Sequence, residues 1–143
     1  MIITLKITLI RALYYKNGWS ADIEIDESST LEDLHYAIQD AVDFDNDHLY
    51  CFFISRTDRS RSRTMFDDED GRALLKKLKD MFPLPPDRYL FYLFDWGDEW
   101  VFKISPSRKR PHDPAKGTKY PRVQNESGEK LVQYPELEDD FFP

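Results

Sequence analysis

The first 26 residues alternate between apolar and polar positions, the pattern of two β-strands that each bury one face. The apolar positions are Ile3, Leu5, Ile7 and Leu9 in the first run, and Trp19, Ala21, Ile23 and Ile25 in the second. Threonine, lysine, serine and acidic residues fill most of the positions between them. This pattern predicts an antiparallel hairpin with both apolar sets on one side of a sheet.

The loop of this hairpin lies near the segment KNG, residues 16–18. A two-residue Asn-Gly turn would place Tyr14 opposite Ala21 and turn the apolar face of the first strand towards solvent. A three-residue loop with its glycine in the left-handed region instead pairs Leu9 with Ile25. The longer loop keeps both apolar sets on one face, so the pattern favours it.

A helix is predicted next, because apolar residues recur at intervals of three and four. They are Leu31, Leu34, His35, Ile38, Ala41 and Val42, and they form one stripe. Two capping boxes fit its start, Ser29 with Glu32 or Thr30 with Asp33. The turn-forming segment DFDND predicts that the helix ends near Asp43.

The middle of the chain predicts a buried strand, an exposed loop and a second helix. The stretch HLYCFFIS, residues 48–55, is apolar at both odd and even positions, as in a strand covered on both faces. The loop is the stretch RTDRSRSR, residues 56–63. The second helix begins at Asp67, Asp68 or Asp70, carries the stripe Leu74, Leu75, Leu78, Met81 and Phe82, and ends at Pro83, Pro85 and Pro86.

The stretch FYLFDWGDEWVFKI predicts a hairpin with strands near Tyr89–Phe94 and Trp100–Ser105. Residues 106–143 have scattered prolines and little periodicity. The predicted fold class is therefore α+β: a mixed, mostly antiparallel sheet with two helices packed on it and an irregular C-terminal strap. Residues 1–105 form the core domain, and residues 106–143 form the strap and acidic tail of the same domain. The early strand–strand–helix–strand order resembles a β-grasp.

Composition supports one compact domain. Aromatic residues make up 15% of the 143 residues, so material for a core is plentiful. The single cysteine, Cys51, permits no intrachain disulfide, which fits a reducing cytoplasm. The apolar opening segment is too short to span a bilayer and is interrupted by Lys6. We therefore expect a cytoplasmic protein that does not enter a membrane.

Charge is strongly segregated along the chain, although the total is -7. Residues 103–123 carry seven Lys or Arg and one acid, whereas residues 124–143 carry one Lys and six acids. The candidate nucleic-acid contacts are Arg56, Arg59, Arg61, Arg63, Arg108, Lys109 and Arg110. We expect binding to nucleic acid to be weak, because the whole chain is acidic and its tail can neutralise the basic stretch. A protein partner is the stronger expectation.

Motifs of metal binding and catalysis are absent or incomplete. The segment DFDND spaces three aspartates like a calcium loop, but that motif needs glycine and glutamate where the chain has His48 and Ile54. Of the histidines, His35 lies on the helical stripe and is expected to be structural, and nothing orients His112. His48 and Cys51 point to opposite faces of their strand and cannot form a nucleophile–base pair. We expect no metal and no cofactor, and we assign no catalytic residue.

The hairpin tip DWGDE is a candidate ligand site, although a structural turn is the favoured interpretation. Gly97 suits a left-handed position, and Asp95 can accept hydrogen bonds from the turn amides. Trp96 and Trp100 can pack in the core or form an exposed stacking ledge. Carboxylates beside aromatic rings, with Asp98 and Glu99 among them, also suit a small polar ligand.

Two stretches together resemble the plasmid pRiA4b ORF-3-like family. TLEDLHYAIQDAVDFDNDHLYCFFI, residues 30–54, is similar to its signature T-L-x-x-L-H-x-x-I-Q…H-L-x-x-F. FDWGDEWVFKI, residues 94–104, is similar to its signature Y-D-F-G-D-x-W-x-H-x-I, and the later Tyr-Pro…Gly…Tyr-Pro pattern also matches. The resemblance implies an α+β domain of bacterial plasmids and chromosomes whose activity is not established. Its motif positions are His35, Gln39, His48, Asp95, Gly97, Asp98 and Trp100.

The chain departs from the family pattern at Phe102, where relatives usually carry histidine, and it lacks their C-terminal cysteines. A metal or catalytic role of those residues is therefore not expected here. The leading functional hypothesis is a noncatalytic binding or interaction module, linked through the family to mobile elements. The alternatives are nucleic-acid binding through residues 56–63 and 103–122, and an enzyme of unknown class at the hairpin tip.

Overall fold

The computed structural model describes residues 1–13, 15, 18–69 and 72–133. The strands are β1 (Ile2–Arg11), β2 (Trp19–Asp26), β3 (Tyr50–Ser55), β4 (Thr64–Phe66), β5 (Tyr89–Phe94), β6 (Trp100–Pro106) and β7 (Arg122–Gly128). They form one seven-stranded sheet in the order β4-β3-β5-β6-β1-β2-β7. Every strand pair in the described ranges is antiparallel, so the expected mixed sheet and the β-grasp likeness, which needs a parallel central pair, are wrong.

The hairpin of β1 and β2 has the predicted buried face but not the predicted loop. Ile25 pairs with Ile3 instead of Leu9, and Gly18 is not left-handed. The slip is by an even number of positions, so it leaves each side chain on the same face of the sheet. Burial alone therefore could not distinguish the predicted pairing of Leu9 with Ile25 from the observed pairing of Ile3 with Ile25.

The predicted first helix is α1, Leu31–Val42, and it packs its apolar stripe on one face of the sheet. Of the two possible capping boxes, Thr30 and Asp33 form the one observed. The helix ends at Asp43, which adopts a left-handed conformation with φ of 58°. The start and end signals in the sequence thus predicted this helix correctly.

The predicted second helix is wrong in length. A short 3-10 turn, Ala73–Leu75, is followed by the one-turn helix α2, Leu78–Met81. The amide of Leu31 donates to the carbonyl of Lys76, and the amide of Leu78 donates to the carbonyl of Ser29. These bonds to the start of α1 replace the intrahelical bonds that a longer helix would need.

Only part of the second predicted apolar stripe is buried. Leu74, Leu78 and Met81 are buried, whereas Leu75 is exposed; Asp70, one proposed starting residue, lies outside the described residues. No helix of the described part of the chain has the length and apolar character needed to cross a membrane.

The C-terminal region is not wholly irregular, because Arg122–Gly128 is the edge strand β7. All seven of its residues are exposed. An edge strand that is solvated on both faces needs no apolar alternation, so the pattern gave no signal for it. Residues 134–143, which hold the acidic end of the predicted tail, lie outside the described residues.

The face of the sheet opposite α1 buries a second, smaller apolar cluster, formed by Cys51, Phe53, Phe91, Leu93 and Val101. Arg63 places its guanidinium carbon 4.2 Å from the centroid of the Phe53 ring. Arg11 Nε donates to Asp58 at 2.9 Å. The 56–63 segment therefore folds over this cluster, which explains why β3 is apolar on both faces.

Candidate functional site

The hairpin tip between β5 and β6 is held by Asp95 rather than by Gly97. Asp95 and Glu99 are left-handed, with φ of 64° and 49°, whereas Gly97 does not have a positive φ. The expected left-handed Gly97 is therefore wrong. The carboxylate of Asp95 accepts from the amides of Gly97 at 3.0 Å and Asp98 at 3.4 Å, so the expected cap is present. Aspartate tolerates left-handed backbone better than most residues, which allows it this double role.

The tip lies directly beside the 43–49 loop that joins α1 to β3. Because Tyr50 pairs with Phe94, the residues just outside the two strands meet, and the Asp95 amide donates to the Leu49 carbonyl at 3.0 Å. The same meeting brings His48 Nε2 to 3.4 Å from Asp95 Oδ2 and to 3.6 Å from Asp47 Oδ1. Within the described ranges, no three His, Cys, Asp or Glu side chains are grouped as metal ligands.

A closed ring of hydrogen bonds lies under the loop and joins His35, Gln39, Asn46 and Tyr92. His35 Nδ1 lies 2.5 Å from Tyr92 Oη, and His35 Nε2 lies 2.6 Å from Asn46 Oδ1. Gln39 donates to Tyr92 Oη at 3.0 Å and accepts from the Asn46 amide at 3.1 Å. The ring fixes left-handed Asn46. As expected, His35 is buried and hydrogen-bonded.

The ring assigns the protonation state of His35. Asn46 Oδ1 can only accept, so His35 Nε2 carries the proton; Nδ1 of the neutral ring then accepts from the Tyr92 hydroxyl, which itself accepts from Gln39. A second proton on the imidazole would leave the Tyr92 hydroxyl hydrogen without an acceptor. Burial lowers the pKa of His35 to about 4, against the opposing effect of the hydrogen bond to Asn46. Burial likewise raises the pKa of Tyr92 well above its usual value.

Gln133 is a component of the site that sequence reasoning missed. Its side chain is buried, accepts from the Asp45 amide at 2.6 Å and donates to Asp47 Oδ1 at 2.6 Å. It therefore ties the end of the described chain to the 43–49 loop. A glutamine in an aperiodic, polar stretch gives no signal of burial, so only the folded arrangement identifies it.

The two tryptophans of the tip have opposite environments. Trp100 is 1% exposed and packs against Tyr15 and Phe44, with ring centroids 5.3 Å and 4.8 Å away. Its indole nitrogen has no hydrogen-bond partner among the described residues. Trp100 is thus a core residue and not part of a stacking ledge. Trp96 is 49% exposed and remains available to a ligand.

One surface of the protein is both apolar and acidic, and we call it the acidic end. It consists of the 43–49 loop, the 95–99 tip and Leu13. Leu13 is 63% exposed and Leu49 is 66% exposed. The Leu13 amide approaches the Asp98 carbonyl at 3.4 Å, so both leucines adjoin the tip. The loop and the tip together contain six carboxylates and no Lys or Arg.

Arg11 is a cation at the border of the acidic end. It binds Glu99 at 2.6 Å as well as Asp58. A cavity of about 240 Å³ beside it is lined by Arg59, Asp98 and Glu99, among others. Asp98 and Glu99, both expected at the site, therefore face an open cleft.

The candidate nucleic-acid contacts do not form one surface. Arg63 is used internally, because it stacks on Phe53 and donates to the carbonyls of Ser60 and Asp58. The exposed residues of the first set are Arg56, Arg59 and Arg61, and those of the second are Arg108, Lys109 and Arg110. Arg59 lines the cavity at the tip, whereas Lys109 lines one beside Ile3 and Pro106, at the other end of the sheet.

His112, for which the sequence suggested no partner, is oriented by Glu24. Glu24 is 5% exposed on β2 and lies 2.9 Å from His112 Nε2 and 2.5 Å from Arg122. Glu24 thus forms an ion pair with Arg122. The Asp113 carbonyl, followed by Glu24, raises the pKa of His112. The cluster fixes the connection between β6 and β7 and lies apart from the tip.

Comparison with known proteins identifies a family but no activity. The sequence model of the family described as plasmid pRiA4b ORF-3-like protein matches residues 2–132. A solved structure, described as a protein of unknown function, MM3350, from Methanosarcina mazei Go1, is 26% identical with a TM-score of 0.68; the match covers 87% of this chain and 68% of that chain. No curated protein matches the chain.

Proposed function

We propose that this chain, which belongs to the plasmid pRiA4b ORF-3-like family and is similar to a solved structure of unknown function, is a noncatalytic binding module. Its acidic end binds a positively charged segment of a partner protein that also carries large apolar side chains.

One observation carries this proposal: Leu13, Leu49 and Trp96 are exposed around a tip and loop that are rich in carboxylates. Isolated exposed apolar residues are ordinary, but three beside one hairpin tip form a patch suited to a partner. Aromatic and apolar anchors supply most of the energy of a protein interface. Carboxylates at its rim select a cationic partner and speed the encounter.

The buried ring supports the proposal because it holds the surface in place before binding. His35, Gln39 and Tyr92 fix Asn46 from below, and Gln133 binds the loop at Asp45 and Asp47. The tip is fixed by the bonds of Asp95. A surface that is ordered in advance loses less conformational entropy when the partner binds.

The test uses synthetic ten-residue peptides that combine Lys or Arg with Leu or Trp, and matched peptides in which Glu replaces each cation. Amide chemical shifts of the protein locate binding. Cationic peptides should shift resonances of residues 43–49 and 95–99. The Asp45→Asn and Asp98→Asn double variant should bind about fivefold more weakly, because each exposed charge pair contributes about 0.5 kcal/mol.

The control for this test is Asp87→Asn, which also removes one exposed carboxylate but lies beyond the opposite end of β5, just before Tyr89. Asparagine accepts the left-handed φ of 58° at this position. Its affinity for the peptides should equal that of the unmodified chain. If cationic and anionic peptides bind equally, or if the shifts lie away from the acidic end, the proposal fails.

An enzyme is the second candidate, and the contact between His48 and Asp95 favours it. Asp95 is 7% exposed, and its carboxylate lies 3.4 Å from His48 Nε2, an arrangement that can orient an imidazole as a general base. The loop and tip contain no Ser, Thr or Cys, so the base would activate water. Chromogenic carboxylic and phosphate esters test this: turnover lost in His48→Asn but kept in His112→Asn supports it, and no turnover contradicts it.

A link to mobile elements rests on the family description, which names a plasmid. We retain it as part of the proposal, together with a bacterial source. Transfer of the gene on a plasmid would not alter the chemistry proposed for the acidic end.

A further inference from the structure

Three neighbouring cavities lie at the end of the sheet opposite the acidic end, where β5 begins and β6 ends. The first, about 330 Å³, includes Ile54 and Arg63 and shares Arg88 with the second. The second, about 280 Å³, shares Phe82 and Pro106 with the third, about 150 Å³. Because they share lining residues, the three cavities adjoin one another, and we call them together the basic groove.

The groove is charged with one sign. Arg63, Arg88 and Lys109 line it, and no Asp or Glu does. None of these three cations forms an ion pair with a carboxylate in the part of the chain that the structure describes. Asp87 precedes Arg88 in sequence but does not line the cavities. The groove therefore attracts an anionic partner although the whole chain is acidic.

The floor of the groove is apolar. Phe82, Leu84 and Ile104 line the second cavity, together with Tyr89, which is 40% exposed. Lys103 lies over the Tyr89 ring at 3.9 Å. An apolar floor with a cationic rim suits side chains that are large and apolar and that alternate with carboxylates. Nucleic acid would satisfy the rim but would leave most of this floor without complementary contacts.

We propose that the basic groove binds an acidic segment of another protein chain, in which aromatic or leucine side chains enter the cavities and neighbouring carboxylates pair with Arg88 and Lys109. This site is separate from the acidic end and selects a partner of the opposite charge. The two proposals can fail independently, because they predict shifts at opposite ends of the sheet.

The probe is the synthetic peptide YPELEDDFFP, which has the required composition and the sequence of residues 134–143 of the chain itself. It is added to the full chain, and binding is followed by amide chemical shifts and by titration calorimetry. We expect shifts at Arg88, Tyr89 and Ile104. The peptide YPELEDDAAP, without its two phenylalanines, and YPQLQNNFFP, without its four carboxylates, should each bind about tenfold more weakly.

Variants of the chain locate the contact. Arg88→Glu and Tyr89→Ser should each weaken binding of the probe about tenfold, whereas Arg59→Glu, which reverses a cation near the tip, should not change it. Far-ultraviolet circular dichroism of each variant verifies that it is folded. Equal affinity for YPELEDDFFP and YPELEDDAAP would mean simple attraction of charge, and equal affinity for all three peptides would mean that neither the carboxylates nor the phenylalanines are recognised; either result would overturn the proposal.

Two competing occupants are separated by further measurements. If a labelled single-stranded oligonucleotide shifts the same resonances at lower concentration than the probe, nucleic acid is the ligand and the proposal is wrong. If the probe binds only after Phe141→Ser and Phe142→Ser are made in the full chain, the chain's own residues occupy the groove, which overturns assignment to a separate partner. Binding to the unmodified chain with the expected losses supports it.

Discussion

At the scale of single residues, the ring through His35 is the feature on which the neighbouring loop depends. Each side chain in the ring satisfies the next, and the chain of bonds closes on itself. Removing one member therefore leaves two others without a partner in a buried environment. This arrangement makes the ring sensitive to the loss of one hydroxyl group.

Tyr92→Phe should lower the free energy of unfolding by about 1–3 kcal/mol, because His35 Nδ1 loses its donor and the Gln39 amide loses its acceptor. Tyr36→Phe is the matched control. Its side chain is 49% exposed on α1, next to His35, and loss of its hydroxyl should change stability little. Urea unfolding of both variants measures the difference. Equal midpoints would show that the ring is energetically unimportant.

The protonation of His35 should make stability depend on pH in a known direction. Its pKa is about 4 in the folded chain and about 6.5 when unfolded, so unfolding takes up a proton between these values. Stability is complete above pH 6.5 and falls as the pH is lowered towards 4, by up to about 3 kcal/mol. Nuclear magnetic resonance titration measures the pKa directly. A value near 6.5 for His35 would contradict this account.

The conformation and burial of single residues were predicted correctly only where one sequence pattern determines them. His35 was predicted to be buried and bonded, because it lies on an apolar helical stripe, but its partners come from other elements and could not be named. Gly97 was assigned the left-handed conformation because glycine adopts it most easily. Asp95 and Glu99 adopt it instead. The bonds from the turn amides to the Asp95 carboxylate offset the backbone cost there.

At the scale of elements, the start of α1 distinguishes the two capping boxes that the sequence allowed. Thr30→Ala should destabilise the chain by about 1 kcal/mol, because the hydroxyl accepts from the Asp33 amide at 3.1 Å. Ser29→Ala removes the neighbouring hydroxyl, which does not cap the helix, and should cost less. Thermal unfolding compares the two. A larger loss for Ser29→Ala would place the cap one residue earlier.

The connection between β6 and β7 should respond to pH through His112. The Asp113 carbonyl and Glu24 raise its pKa, so their stabilisation is complete below the ordinary pKa of 6.5 and is lost as the pH rises through the folded value. Glu24→Gln should bring the pKa of His112 down towards 6.5 without reaching it, because the bond to the Asp113 carbonyl stays. Titration of the His112 ring protons measures both values. An unchanged pKa in the variant would exclude Glu24 as a cause.

Elements were predicted well where burial imposes a period. The strands β1, β2, β5 and β6 and the helix α1 each carry an apolar face, and the sequence located all five. β7 was missed because both of its faces are solvated. The second helix was overestimated because an apolar stripe does not show that Lys76 and Leu78 bond to another element. The periodicity of apolar residues predicts which side chains are buried, but it does not predict which distant segments pair through their backbones.

At the scale of the whole molecule, charge is separated between the two ends of the sheet. Carboxylates surround the tip, and cations line the basic groove. The sequence showed that charge is segregated along the chain but could not place it in space. The meeting of His48 with Asp95 depends likewise on the pairing of β3 with β5, which only the folded sheet defines.

This charge distribution predicts that the chain binds nucleic acid weakly or not at all. The total charge of -7 repels a polyanion, and the two sets of candidate cations do not lie on one surface. A labelled duplex and a labelled single strand should not be shifted in a gel at low salt, where phosphate contacts would be strongest. A chain that ends after Gln133 is the control, because it lacks Glu136, Glu138, Asp139 and Asp140. Binding by this shorter chain alone would mean that the tail competes with nucleic acid.

The strand order has a consequence for how the protein is made. β1 precedes the other strands of the sheet in the chain, yet it lies inside the sheet between β2 and β6, so that Ile7 pairs with Ile104. Until β6 has been synthesised, the β1 edge of the N-terminal hairpin has no partner, and such edges promote association between chains. Pairing across so much intervening chain gives a high contact order and slow folding. Pairing of β1 on both sides therefore depends on translation having passed Pro106, and translation that stops before β6 leaves an exposed hairpin edge that promotes association.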